Sequence, residues 1–272
     1  MTTRKLETGT PDLIAEVTGH VATVTLNNPA RRNALSAGMT ANLPALLDAL
    51  EGDANVRVVV LTGAEGAFCA GGDVTSLGAS LRADAGPEEM VRVLMASQTA
   101  VSQRVYDFPK PVIGALPGPA AGAGMSLALA CDLRIASEAA FFAPAFGALG
   151  VSGDFGGSWY MTQLLGPAKT KEIYFSSRRI DASEALELGL VNRVVPQAEF
   201  AAQTAKWAAA LAAAAPLAVA EMKANINRAA HSGLAEALEG EARAMIRTLN
   251  TQDHKHAAAA FLQKQTPTFE GK

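Results

Sequence analysis

Cysteine, histidine and charge are all sparse in this chain: two cysteines, four histidines and 18% charged residues. Cys69 and Cys131 are too few for a disulfide framework, and neither stands in the Cys/His spacing of a metal site. We read both as small apolar filler kept reduced. His20, His231, His254 and His256 all lie outside the motifs described below, so a histidine-based triad has little support. His254 and His256 fall on different sides of a helix and make a poor metal pair. No metal site is expected. A net charge of −3 offers no broad positive field for phosphates, which argues against a nucleic-acid partner. No uninterrupted apolar run reaches the roughly 18 residues of a membrane span. The first ten residues lack the apolar core of a secretory signal. A cytoplasmic protein without a membrane partner is the expectation. Neither a G-x-x-x-x-G-K-[ST] run nor a well-placed G-x-G-x-x-G is present, which speaks against a nucleotide-hydrolysing or dinucleotide site.

What the chain does have is apolar bulk, 49% of 272 residues, enough for one large core or two smaller ones. Ile14 to Leu26 reads as a hairpin around Thr18-Gly19-His20. Ser36 is placed to cap a helix running to about Leu50. Strands are predicted over 56–62, 112–116, 132–136 and 191–195, and helices over 89–106, 122–131, 159–165, 167–175 and up to Leu188. Residues 74–88 read as a mobile segment over a site. This alternation predicts an α/β core over residues 1–195 with parallel pairing. From 196 to 272 only helical pattern remains, broken at Pro216 and near Gly233. Trp159 and Trp207 are most simply core or interface residues.

Two segments stand out. The apolar run 56–62 leads into Ala64-Glu-Gly-Ala-Phe-Cys-Ala-Gly-Gly-Asp73. Pro111–Leu116 leads into Gly118-Pro-Ala-Ala-Gly-Ala-Gly124 and then the apolar Met125 to Ala130. Each is a buried-looking strand ending in a turn of small residues that opens a helix. Such turns let a substrate approach the backbone. Their free N–H groups carry partial positive charge. Brought together, two of them can form an oxyanion hole.

These segments, with Asn28-Pro-Ala-Arg-Arg-Asn-Ala-Leu35, Gly156-Gly157, Leu188-Gly-Leu-Val-Asn192 and Phe261-Leu-Gln-Lys264, resemble the crotonase, or enoyl-CoA hydratase/isomerase, family in order and spacing. The resemblance implies a spiral of ββα repeats, with residues 196–272 as a helical trimerisation region. It implies a homotrimer or a dimer of trimers. It also implies an acyl-CoA thioester as substrate, with coenzyme A entering as part of it and no separate cofactor. By motif position, the thioester oxygen falls to the N–H groups of Gly72 and Ala123. Arg32, Ala34, Leu35, Ala70, Asp73 and Lys264 match positions that meet coenzyme A.

At two positions the chain departs from the family's hydratases, which carry glutamates where Ser126 and Phe146 stand here. Serine is a weak base unaided and phenylalanine has no proton to give. Asp154, in Ser152-Gly-Asp-Phe-Gly-Gly157, matches a position where some family isomerases and a ring dehalogenase place an acting aspartate. Ser126, Phe146 and Phe155 would wall the acyl pocket, with Phe142 nearby. Desolvation there would raise the Asp154 pKa toward the range of a working base. The alternative is that Asp154 only caps the following helix or shapes the turn. One carboxylate suits double-bond isomerisation better than hydration. An acyl-CoA-binding protein with little turnover is the second reading.

Overall fold

A computed structural model of the chain describes residues 2–72 and 86–272. Strands β2 (Leu13–Thr18) and β3 (Val21–Leu26) form the expected antiparallel hairpin, turned by Gly19 at φ 58°. A short edge strand, β1 (Thr3–Leu6), adds to β2. Its polar TRKL sequence gave no strand signal. From β3 onward the pairing is parallel. β4 (Val58–Gly63), β5 (Val112–Leu116), β7 (Leu133–Ser137) and β10 (Arg193–Val195) follow in that spatial order. β5 is buried along its whole length, as expected of a parallel strand covered on both faces.

One face of this sheet packs on α1 (Ala37–Gly52) and α3 (Ala123–Ala130) through Leu43, Leu47, Phe68, Met125 and Leu127. Ser36 caps α1 by accepting from Met39 N at 3.1 Å. Every residue of α3 is buried, so it is apolar on all sides rather than amphipathic. The other face is covered by α6 (Phe200–Ala212), whose Trp207 and Ala208 meet Val58, Val60, Ile113 and Ile135.

The helix predicted over 89–106 is present as α2 (Pro87–Gln98). It continues through a π-turn (Thr99–Gln103) into a last helical turn (Arg104–Tyr106). α4 (Gly157–Ser176) is broken at Gly166, where φ 74° and ψ 167° leave the helical region and Pro167 restarts it. Asp181 caps α5 (Ala182–Glu187) through Glu184 N at 2.9 Å. A second, small sheet had no sequence signal: β6 (Ala120–Ala121), β8 (Phe141–Ala143) and β9 (Ile180–Asp181). Strands of two or three residues are too short to show a period.

α7 (Pro216–Ala229), α8 (Leu234–Leu249) and α9 (Gln252–Leu262) complete the chain. α7 is tied to the core by Lys223, which donates to Asp132 at 2.8 Å. These helices expose Ile226, Leu234, Leu238, Met245, Ile246, Phe261 and Leu262 to solvent. Among the described residues no single helix is long and apolar enough to cross a membrane.

Candidate active site

The loop after β4 is held by Asn33, which is fully buried. Its side-chain amide donates to Ala64 O at 2.8 Å and Ala67 O at 2.9 Å, and its oxygen accepts from Asn28 N at 3.0 Å. This bolts the 28–35 loop to the 64–72 loop. Ala70 N donates to Arg32 O at 3.0 Å and Leu35 N donates to Gly71 O at 2.8 Å. Ala34, Leu35, Ala70 and Gly72 are thereby brought together along one edge.

The second turn is laced to the first. Phe68 N donates to Pro119 O at 3.0 Å and Ala121 N donates to Cys69 O at 2.9 Å. Gly124, in the first turn of α3, sits so tightly on Cys69 that any Cβ would collide with its carbonyl. Gly122 has φ 51° and ψ −126°, a conformation that L side chains rarely adopt. Its N–H is spent on Ala143 O at 2.9 Å. The next N–H, that of Ala123, opens α3 and has no protein partner among the described residues, and neither has that of Gly72. A Cβ on Gly71 would lie 3.7 Å from Ala123 N, so the two turns abut. Two unspent main-chain donors at adjacent turns, one at a helix N-terminus, can hold a single oxygen as it gains negative charge.

Ser126 lies one helical turn beyond Ala123 and is fully buried. Its hydroxyl donates to Asp154 O at 2.9 Å and Gly122 O at 3.3 Å, linking the oxyanion turn to the Asp154 turn. That turn is tight: Gly153, Phe155 and Gly156 have φ of 111°, 51° and 75°. A non-glycine residue held at positive φ, here Phe155, is strain of the kind kept at functional sites. The side chain of Asp154 does not cap α4, whose cap residue is Gly156 with no side-chain bond. Its Oδ1 is buried without a hydrogen-bond partner among the described residues. Burial pushes its pKa up to about 6.

Phe142, Phe146 and Phe155 are buried in this region, and a Cβ on Gly122 would touch the Phe146 ring at 3.7 Å. The Phe146 ring stacks on Tyr174, centroids 5.9 Å apart. Nothing in the sequence pointed to Tyr174 or assigned Asn33 its clamp. Both act through residues distant in the chain, Tyr174 from a helix face and Asn33 from a loop.

The Arg32 side chain is exposed beside these loops. Lys264 follows α9, exposed, and no described contact joins it to them. Asp73 and most of the 74–88 segment lie outside the described residues. Cys69 and Cys131 are free and buried, each with its thiol pushed up to about 12, which removes both as nucleophiles near neutral pH.

Fold and paired turns together define an α/β protein with two main-chain donors, at Gly72 and Ala123, that have no partner among the described residues. The enoyl-CoA hydratase/isomerase profile matches residues 16–272. The short-chain-enoyl-CoA hydratase of Clostridium acetobutylicum is 34% identical over 259 residues, covering 93% of this chain and 95% of that protein. A crystal structure of an enoyl-CoA hydratase from Polaromonas sp. JS666 superposes with a TM-score of 0.88 at 36% identity, covering 94% of this chain and 99% of that one. One from Bacillus anthracis does so at 0.88 and 33%, covering 96% and 100%. The chain belongs to the enoyl-CoA hydratase/isomerase family, and its fold is the crotonase fold.

Proposed function

We propose that this enzyme acts on an unsaturated acyl-CoA through a thioester enolate and favours moving the double bond over adding water. Asp154 carboxylate removes the proton of the saturated α-carbon or, in an α,β-enoyl thioester, of the saturated γ-carbon. The C–H electron pair enters the extended enolate, and the charge collects on the thioester oxygen. The N–H groups of Gly72 and Ala123 stabilise that charge, each by about 3 kcal/mol on the scale of other oxyanion holes. The protonated Asp154 then returns the proton to another carbon of the same enolate. Substrate and product have equal mass.

The observation that carries this reading is the buried Oδ1 of Asp154, which has no hydrogen-bond partner among the described residues, in a turn tied to α3 by Ser126. Ser126 and Phe146 stand where family hydratases carry glutamates, which leaves Asp154 as the proton mover. Arg32, Ala34, Leu35, Ala70, Asp73 and Lys264 bind the coenzyme A part of the substrate. Lys264 reaches it from a neighbouring subunit of a homotrimer or dimer of trimers built on the exposed apolar faces of α7, α8 and α9. No separate cofactor takes part, and the enzyme works in the cytoplasm.

The test is to incubate the purified protein with short and medium enoyl-CoAs and follow thioester absorbance and product mass. Rearrangement at constant mass supports the reading. Gain of one water in every product contradicts it. Tight binding with no product favours the acyl-CoA-binding alternative, which the two missing glutamates motivate.

A further inference from the structure

Among the described residues, two cavities meet at one wall of three aromatic rings. The first, of about 380 Å³, lies between the π-turn and the start of α4. Three π-turn residues, Thr99, Ser102 and Gln103, line it, and π-turns inside helices recur at functional sites. Ser102 and Tyr160 are its buried lining residues, and Gly156 is half-buried beside them. Gly156 belongs to the Asp154 turn and is packed so closely on the Tyr160 ring that any Cβ would collide with it. Thr99, Gln103, Asp107 and His231 line the same cavity and are exposed and polar. The cavity thus extends from the Asp154 turn to a polar rim.

The second cavity, of about 460 Å³, lies between α4 and α7. Leu129, Leu133, Leu164, Val219 and Met222 give it apolar walls. Its cations are spent elsewhere. Lys223 pairs with Asp132 at 2.8 Å, and Arg134 donates to the carbonyls of Cys131 and Leu190. Tyr106, Trp159 and Tyr160 line both cavities. Each ring packs on the other two, with centroids 5.2, 5.3 and 5.6 Å apart. His231 stacks on the Trp159 indole at 5.1 Å and holds it in place.

We infer that Tyr106, Trp159 and Tyr160 form a partition that limits the length of acyl chain the enzyme can bury, with Trp159 as the specificity-determining residue. This rests on the reading of Asp154 given above, which puts the reacting carbons next to Gly156. A short acyl chain running from that turn fills the first cavity. A longer one meets the aromatic wall and leaves over the polar rim into water, where further methylenes bury nothing. The apolar cavity behind the wall stays out of reach. The Trp159 side chain is the one to remove, because it is the ring held by all three neighbours, and its loss joins the two cavities.

The experiment measures calorimetric affinities of butanoyl-, octanoyl- and dodecanoyl-CoA for wild type and Trp159→Ala. Each methylene buried tightens binding by about fourfold, so the end of burial shows as a break in the series. Wild type should gain from butanoyl to octanoyl and then stay within about threefold to dodecanoyl. Trp159→Ala should bind dodecanoyl-CoA at least about tenfold more tightly than wild type, with butanoyl-CoA within about threefold. Adding Leu164→Trp, which refills only the second cavity, should restore the break. An unbroken gain in wild type overturns the proposal, and so does the same dodecanoyl-to-octanoyl ratio in wild type and variant. Tyr106→Leu tests the same wall if Trp159→Ala does not fold, and the wild-type series needs no variant. These affinities involve no proton transfer, so they report on the partition whether or not Asp154 is the base. Failure of every acyl-CoA to bind overturns the proposed substrate class and the partition together, whereas binding without a break overturns the partition alone.

Discussion

One half of this site is main chain and the other half is side chain, and the two are built by different means. The main-chain half, at Gly72 and Ala123, depends on two turns laced by hydrogen bonds and on glycines that allow close approach. It asks nothing of side-chain chemistry, only that the N–H groups of Gly72 and Ala123 stay free. The side-chain half consists of Ser126, Phe146, Asp154 and Tyr174. There, one exchanged residue changes which protons can move. On the function proposed above, the fold keeps its means of stabilising an enolate while its acid–base chemistry is replaced.

The comparison can be broken most forcefully at Asp154. Asp154→Asn should lower kcat by about a hundredfold to ten-thousandfold, the usual worth of a positioned base, with acyl-CoA affinity little changed. Steady-state kinetics beside calorimetric binding checks both parts. On the main-chain side, Gly122→Ala should lower kcat about a hundredfold, because a Cβ disfavours the backbone conformation that aims the Ala123 N–H. Ala123→Gly, which keeps the N–H, should stay within about twofold on the same view.

The halves should also separate by pH. A base whose pKa is raised to about 6 makes kcat/KM fall tenfold per pH unit below that value and level off above it. Main-chain donors do not titrate, so acyl-CoA binding should remain flat across the same range.

The smallest effect is on stability, and its sign follows from the same shift. The folded pKa of Asp154 lies above the unfolded value of 3.8, so its charged form opposes folding. The penalty is absent below pH 3.8, grows as the pH rises toward about 6, and is full above it. Asp154→Asn should therefore stabilise the protein at pH 8 by about 1–2 kcal/mol, discounted for partial solvent access, and do nothing at pH 3.5. Urea unfolding at the two pH values measures this.

Legibility in the sequence followed the same division. The turns at Gly72 and Ala123 were readable because small residues after apolar runs report a backbone requirement directly. The Ser36 cap and the 14–26 hairpin were readable for the same local reason. Asp154 was visible through its motif. The structure then removed the helix-cap alternative, since Gly156 holds the cap position with no side-chain bond and Asp154 Oδ1 has no partner among the described residues. Tyr174 was invisible, because its place in the site depends on how the segment after Gly166 is aimed. The π-turn at 99–103 was likewise hidden inside an ordinary helical pattern.

The claim that organises this account is that Asp154 takes a proton made acidic by the donors at Gly72 and Ala123. Hydrogen–deuterium exchange at the α-carbon of a saturated acyl-CoA, followed by mass in D₂O, reads that step without any net reaction. Exchange with the wild-type enzyme and none with Asp154→Asn is the predicted result; exchange at an equal rate in both would contradict it.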